Sequence, residues 1–204
     1  MGLREMVAGE RADLVELLRT LSDDDWLVPS LCKGWRARDV VAHLLIDTVS
    51  IATYVGMLVR KRSLDRVNQH FVDQAKDLPT RELVSRLEST ITIGRGWVSR
   101  TIPGTILSDL VVHRQDIRRP LGRPRTIDPA RLLHTLRNPD PFAKPRRYTK
   151  GLKFVASDID WAAGSGPEVR GAGEALALAM VGRGAVLHEL EGDGVALLTH
   201  RIRT

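Results

Sequence analysis

Apolar and polar positions alternate along most of this chain with a helical period. Over residues 3–21, Leu14, Leu17, Leu18 and Leu21 recur at three- and four-residue intervals among charges, which predicts an amphipathic helix. "SDDDWLVPSLCKGW" interrupts it, with Pro29 and Gly34 as breakers. A second helix is expected from about Arg36 to Arg60, with Asp39 in its first turn and Arg60 to Arg62 at its negative end. The mixed stretch Leu64 to Leu78 reads as an excursion or a short helix. Thr80 as N-cap, with Leu83, Leu87, Ile91 and Ile93 as an inner stripe, gives a third helix. "PGTILSDLVVHRQDIRRPLG" gives a fourth, capped by Thr105 and ended by Pro120 and Gly122.

Four amphipathic helices in the first 122 residues predict a helix bundle. The texture then changes. Residues 123–150 are basic and proline-rich, with one short helix begun by Asp128 and Pro129, and read as a connector. Residues 151–204 read as a small α+β segment packed on the bundle. In it "LKFVASDIDW" alternates as a half-buried strand, and "GSGPEVRG" turns into a second strand of a hairpin. A closing helix, "AGEALALAMVGRGAVLHEL", is cut in two by Gly182 and Gly184. The fold class expected is mainly α, a four-helix bundle with a small C-terminal α+β extension.

Composition changes this picture little. With 204 residues, 43% of them hydrophobic and 27% charged, the chain has enough apolar material for a core. The N-terminus lacks the apolar run of a signal peptide, no run is long enough for a membrane span, and one cysteine cannot form an internal disulfide. A cytoplasmic protein without membrane partners is the expectation. The net charge of +6 comes from one place: between Arg118 and Lys153 eleven Lys or Arg face two acids, Asp128 and Asp140. Only Phe142 and Tyr148 interleave with these charges, too few for a stacking platform, which argues against nucleic acid. The segment either attracts anionic groups on a small molecule or is a solvated loop.

Candidate chemistry lies in two helices. In "DLVVHRQD", Asp109 and His113 are four residues apart and share one helix face. Leu110, Val111 and Val112 place that helix against the core, where a carboxylate needs a cation or a strong donor. His43 lies among Val40, Val41, Ala42, Leu44 and Leu45. If the two helices meet, two imidazoles and one carboxylate leave an open position, as in catalytic zinc sites. Asp116 and Asp47 fall three and four residues past a histidine. Each is either an acceptor that orients an imidazole or a partner for a nearby basic residue. His70, His134, His188 and His200 lack partners at ligand-like spacing.

"LCKGWRARDVVAHL" resembles the GW-x-x-x-D-V-x-x-H-L signature of the mycothiol-dependent maleylpyruvate isomerase family, a branch of the DinB-like metal-binding bundles. "SDLVVHRQDIRRPLG" resembles that family's second ligand segment, and "SDIDWAAGSGPEVRGAGEALALAMVGRGAVLHELEGDGV" resembles the closing segments of its members. The resemblance implies that His43, Asp109 and His113 bind a divalent ion, most often Zn²⁺. It also implies that mycothiol or a similar low-molecular-weight thiol acts with that ion. Asp109 stands where the isomerase has Glu, and the segment after Lys153 is shorter than the isomerase's second domain. The function implied is therefore a thiol-dependent transferase or isomerase acting on a small electrophile. A non-catalytic metal-binding bundle, serving as a stress-response or interaction module, is the competing expectation. The resemblance further implies a homodimer. Cys32, in the loop before the first ligand helix, is either a spectator or a reporter of the site through oxidation.

Overall fold

The computed structural model describes residues 2–91, 100–123 and 127–204. Two compact units emerge, residues 1–124 and 125–204.

In the first unit, α1 (Leu3–Arg19) buries Val7, Leu14, Val15, Leu17 and Leu18, together with Glu10 and Arg11. α2 (Ala37–Leu44) is buried almost all round. It starts where Asp39 Oδ2 accepts the Arg36 backbone N–H at 2.9 Å. The sequence predicted that α2 would continue to about Arg60. Instead it gives way to a 3-10 turn, Leu45–Thr48, then to extended Val49, and a new helix α3 (Ile51–Lys61) begins on Ser50. The break has a local cause and a distant one. Ser50 Oγ accepts the Thr53 N–H at 3.1 Å, a strong N-cap, and Asp47 is held sideways by Arg11 of α1. α3 buries none of its residues.

The ambiguous stretch after Arg62 is a regular helix, α4 (Leu64–Ala75), capped by Ser63. α5 (Thr80–Glu88) has Pro79 as its N-cap and Thr80 as its first residue. It buries Leu83 and Leu87 as expected, while Ile93 lies outside the described residues. α6 (Pro103–Arg118) starts two residues before Thr105, which therefore does not cap it. From Ile106 to Ile117 every residue of α6 is buried except the partly exposed Asp109. α1 packs on α5 and α6, and α2 packs on α4, α5 and α6. Leu14, Leu18, Leu83, Leu87, Leu107 and Leu110 fill the space between them. Each such side chain contributes about 1.5–3 kcal/mol by leaving water. This packing sets the face of α2 that carries His43 against the face of α6 that carries Asp109 and His113.

The second unit includes most of the basic stretch expected to connect. Its helices α7 (Pro129–Arg137) and α8 (Arg146–Thr149) pack on α9 (Gly173–Met180), and α8 also packs on α10 (Val195–Arg203). Sequence reading missed α10. The sheet has strand order β2-β1-β3. β1 (Lys153–Ala156) pairs antiparallel with β2 (Ala162–Gly164), with Phe154 opposite Ala163. The hairpin expected between β1 and "GSGPEVRG" is corrected: β3 (Glu168–Gly171) lies parallel to β1, Phe154 beside Val169. Asp158 Oδ1 accepts the Gly173 N–H at 2.7 Å, which gives the "SDIDW" motif a turn-building role at the start of α9.

Gly166, at φ +117°, makes the return from β2 to β3. A Cβ there would collide with the Gly151 carbonyl oxygen. Gly166→Ala is accordingly expected to destabilise the second unit by about 1–3 kcal/mol, read as a shift of the urea midpoint. An unchanged midpoint would show that the turn relaxes freely. Among the described residues no helix is long and apolar enough to cross a membrane.

Candidate metal centre

α6 presents Asp109, His113 and Asp116 along one face, because positions i, i+4 and i+7 lie above one another. His113 is held from both sides. Its Nε2 lies 3.2 Å from Asp109 Oδ1, and its Nδ1 donates to Asp116 Oδ2 at 2.9 Å. α2 brings in His43, whose Nε2 is 3.9 Å from Asp109 Oδ2 and whose ring meets the His113 ring edge-on at 5.0 Å. One donor atom from each of His43, Asp109 and His113 falls within 4.8 Å of the others. Two donors bound at 2.0–2.1 Å to one tetrahedral ion lie about 3.3 Å apart, so separations of 3.2 and 3.9 Å need only small adjustments. The residues present therefore fit a divalent ion.

Burial is nearly complete. The side chains of His43 and His113 are 10% exposed and that of Asp109 is 16% exposed, while Asp116 is 0% exposed. The Trp35 ring stands 5.4 Å from His43, and its Nε1 donates to Gln69 of α4 at 3.2 Å, which fixes one wall. His43 Nδ1 is buried with no hydrogen-bond partner among the described residues.

The two members of the site placed one turn apart on α6 are electrostatically linked. Burial pushes the Asp109 carboxyl up. The charge and hydrogen bond of His113, with those of His43, outweigh this and hold it well below the usual carboxylate range. Burial likewise pushes His113 down, but Asp109 and Cys32, with the hydrogen bond to Asp116, raise it well above its ordinary 6.5. The ion pair of the metal-free protein is thus complete between the ordinary values of 3.8 and 6.5. Its contribution is lost as pH falls from 3.8 through the lowered Asp109 value, and as pH rises from 6.5 through the raised His113 value. Metal binding has the opposite sign above 6.5, because the ion must displace the His113 proton. In metal-free protein the melting-temperature gap between wild type and His113→Gln should narrow above pH 6.5, while wild-type metal affinity should rise. A gap independent of pH would exclude the pair.

Of the two flanking acids, Asp116 takes the orienting position beside His113. Asp47 does not orient His43; it is fully engaged elsewhere, 2.6 Å from Arg11 Nη2, because Arg11 reaches across from α1. The sequence left Cys32 as either a spectator or a reporter of the site, and the structure sets it against the cluster. Its Sγ lies 3.0 Å from Asp116 Oδ2 and 3.6 Å from His113 Nδ1. No local spacing could have shown this, since the contacts span 84 and 81 residues. A second charged group, buried Arg114 and Glu10 with the more exposed Asp13, ties α6 to α1. The charges inside the α1 stripe were its only signal.

Fold and site together define a helix bundle that carries a buried histidine–carboxylate cluster between two of its helices. Residues 7–95 match the mycothiol maleylpyruvate isomerase N-terminal domain. Of the cluster, the matched segment contains His43 and Cys32, while Asp109, His113 and Asp116 lie beyond it. Among solved structures, the crystal structure of the mycothiol-dependent maleylpyruvate isomerase is similar over 95% of this chain and 93% of that chain. Its TM-score is 0.64 at 13% identity. A histidine-to-alanine mutant of the same enzyme gives a TM-score of 0.63 at the same identity and coverage. This likeness shows the shared fold, mainly α with a small extension. Among curated proteins no sequence matches.

Proposed function

We propose that the protein is a metal- and thiol-dependent isomerase or transferase. It would use mycothiol or a similar low-molecular-weight thiol on a small electrophile. The observation that carries this reading is the donor set of His43, Asp109 and His113, grouped within 4.8 Å, with His43 inside the segment that matches the mycothiol maleylpyruvate isomerase N-terminal domain. A divalent ion such as Zn²⁺ at that site supplies Lewis acidity and keeps a thiol deprotonated at neutral pH.

The chain's own residues do the rest. His43 and His113 offer neutral nitrogens, and Asp109 offers one negative charge, which leaves net positive charge at the site for an anionic sulfur. Asp116 fixes the His113 tautomer, with the proton on Nδ1 and the lone pair of Nε2 facing the site. Trp35 and the apolar wall of α2 exclude water around His43. Arg and Lys side chains of the basic segment would draw in anionic thiol or electrophile by long-range attraction, which salt weakens.

Calorimetric titration of the zinc-loaded protein with mycothiol tests the proposal. Binding that disappears after chelation and in Asp109→Ala is the expected result. Equal heat with and without metal would remove the thiol from the site. Asp116→Asn is expected to lower metal affinity by roughly 10–100-fold without unfolding the protein, as measured by competition with a chelator. No change would reduce Asp116 to a structural residue.

A further inference from the structure

His113 has two ring nitrogens, and each faces a donor set. The set on the Nε2 side is the one described above. On the Nδ1 side, three donors of three chemical kinds come together from two chain segments: Cys32 Sγ, Asp116 Oδ2 and His113 Nδ1. Their separations are 3.0 Å for sulfur to carboxylate, 2.9 Å for carboxylate to imidazole and 3.6 Å for sulfur to imidazole. The S–H and the Nδ1–H converge on the same carboxylate oxygen, so two protons lie inside this triangle. An ion bound to nitrogen and oxygen at 2.0–2.1 Å and to sulfur at 2.3 Å spaces such donors by about 3.3–3.6 Å. Exchanging the protons for one cation requires only a few tenths of an ångström of expansion.

Backbone contacts hold the loop that carries the sulfur. The Leu31 N–H donates to the Asp116 carbonyl at 3.1 Å, and the Trp35 N–H donates to the Cys32 carbonyl at 3.0 Å. The Cys32 N–H donates to Ser30 Oγ at 3.1 Å, and Pro29 and Arg36 close the loop as a β-bridge. Asp116 is fully buried, whereas Cys32 is half-buried, which gives a cation an entry from the sulfur side.

We propose that Cys32, Asp116 and His113 Nδ1 form a second cation site, selective for soft or borderline ions such as Cd²⁺ or Zn²⁺ over Mg²⁺ and Ca²⁺. It shares His113 with the first site and does not depend on that site being filled. Filling both requires the ring to lose both N–H protons, so an ion on the sulfur side binds more weakly when the first is present.

The experiment is a Cd²⁺ titration of the full chain, followed by the ultraviolet thiolate-to-cadmium charge-transfer band. Wild type is expected to develop the band at one Cd²⁺ per chain on the sulfur side. Cys32→Ser should lose it while still taking up an ion at the first site. His43→Ala, which cripples the first site alone, should keep it. Asp116→Asn should weaken it at least by the roughly 10–100-fold that outer-shell partners cost.

Cadmium uptake without the band overturns the proposal. So does a band of unchanged affinity in Asp116→Asn, which means an isolated thiol, or a band at one ion per two chains, which means sharing between copies. If Asp116→Asn does not fold, X-ray absorption of the wild-type complex decides. One sulfur with an imidazole around cadmium supports the site, and sulfur without imidazole overturns it. The reading of the first site can fail separately: His43→Ala and Asp109→Ala would then leave all cadmium binding unchanged while the thiolate band persists.

Discussion

In a Cys32→Ser background, which leaves only the first site, replacing His43, Asp109 or His113 with alanine is expected to lower bound divalent metal from about one per chain to near zero, with the chain still folded. The reason is the ligand count. Three protein donors are the minimum for a site that keeps one position open, and two leave an ion that any chelator removes. His113→Ala should have the largest effect, because it also leaves the fully buried Asp116 without its imidazole donor. His43→Ala should disturb the fold least, since His43 Nδ1 has no hydrogen bond to lose among the described residues. Asp109→Glu is the informative variant. Glu carries the same carboxylate on a side chain one methylene longer, so retained metal in Asp109→Glu beside loss in Asp109→Ala identifies the carboxylate as a ligand. Metal analysis after gel filtration reads all four variants. Full metal content in all of them would end the case for this centre and return His43 and His113 to the core.

The site was legible in the sequence to the extent that its geometry is helical. Asp109, His113 and Asp116 lie one and two turns apart on α6, and the period of a helix decides that they share a face. That α2 brings His43 to the same place was an expectation from the bundle and the family resemblance, and the packing of α2 on α6 fulfils it. What failed had causes far away along the chain. The end of α2 after Leu44 depends on Asp47 turning to Arg11, thirty-six residues earlier. The parallel pairing of β1 and β3 follows from how β2 inserts between them in the chain order, which strand patterns do not encode. Nothing in the residues around Cys32 marks it as a site residue; only the docking of its loop on α6 brings it to Asp116 and His113. Local spacing thus reveals ligands that share an element, and folding reveals those that do not.

Arg11→Ala is expected to cost about 3–5 kcal/mol of stability, a large part of what a domain this size has. Arg11 and Asp47 have side chains 3% and 0% exposed, at 2.6 Å, and Arg11 Nη1 also donates to the Thr90 carbonyl at 2.8 Å. Removing the guanidinium therefore leaves a buried carboxylate and a backbone acceptor without this donor. The pair need not be stabilising relative to an apolar one, because both charges were taken out of water. Arg11→Met with Asp47→Leu should recover most of the loss in urea unfolding followed by circular dichroism. A cost below about 1 kcal/mol for Arg11→Ala would mean that water reaches the pair. The double variant has a second use. Asp47 closes the turn that ends α2, one turn after His43, so if the ion pair holds the His43 backbone in place, metal affinity will stay low in the double variant even where stability returns. If affinity recovers with stability, α2 is positioned by its apolar packing on α4, α5 and α6, and the buried charges serve only to fix where the helix stops.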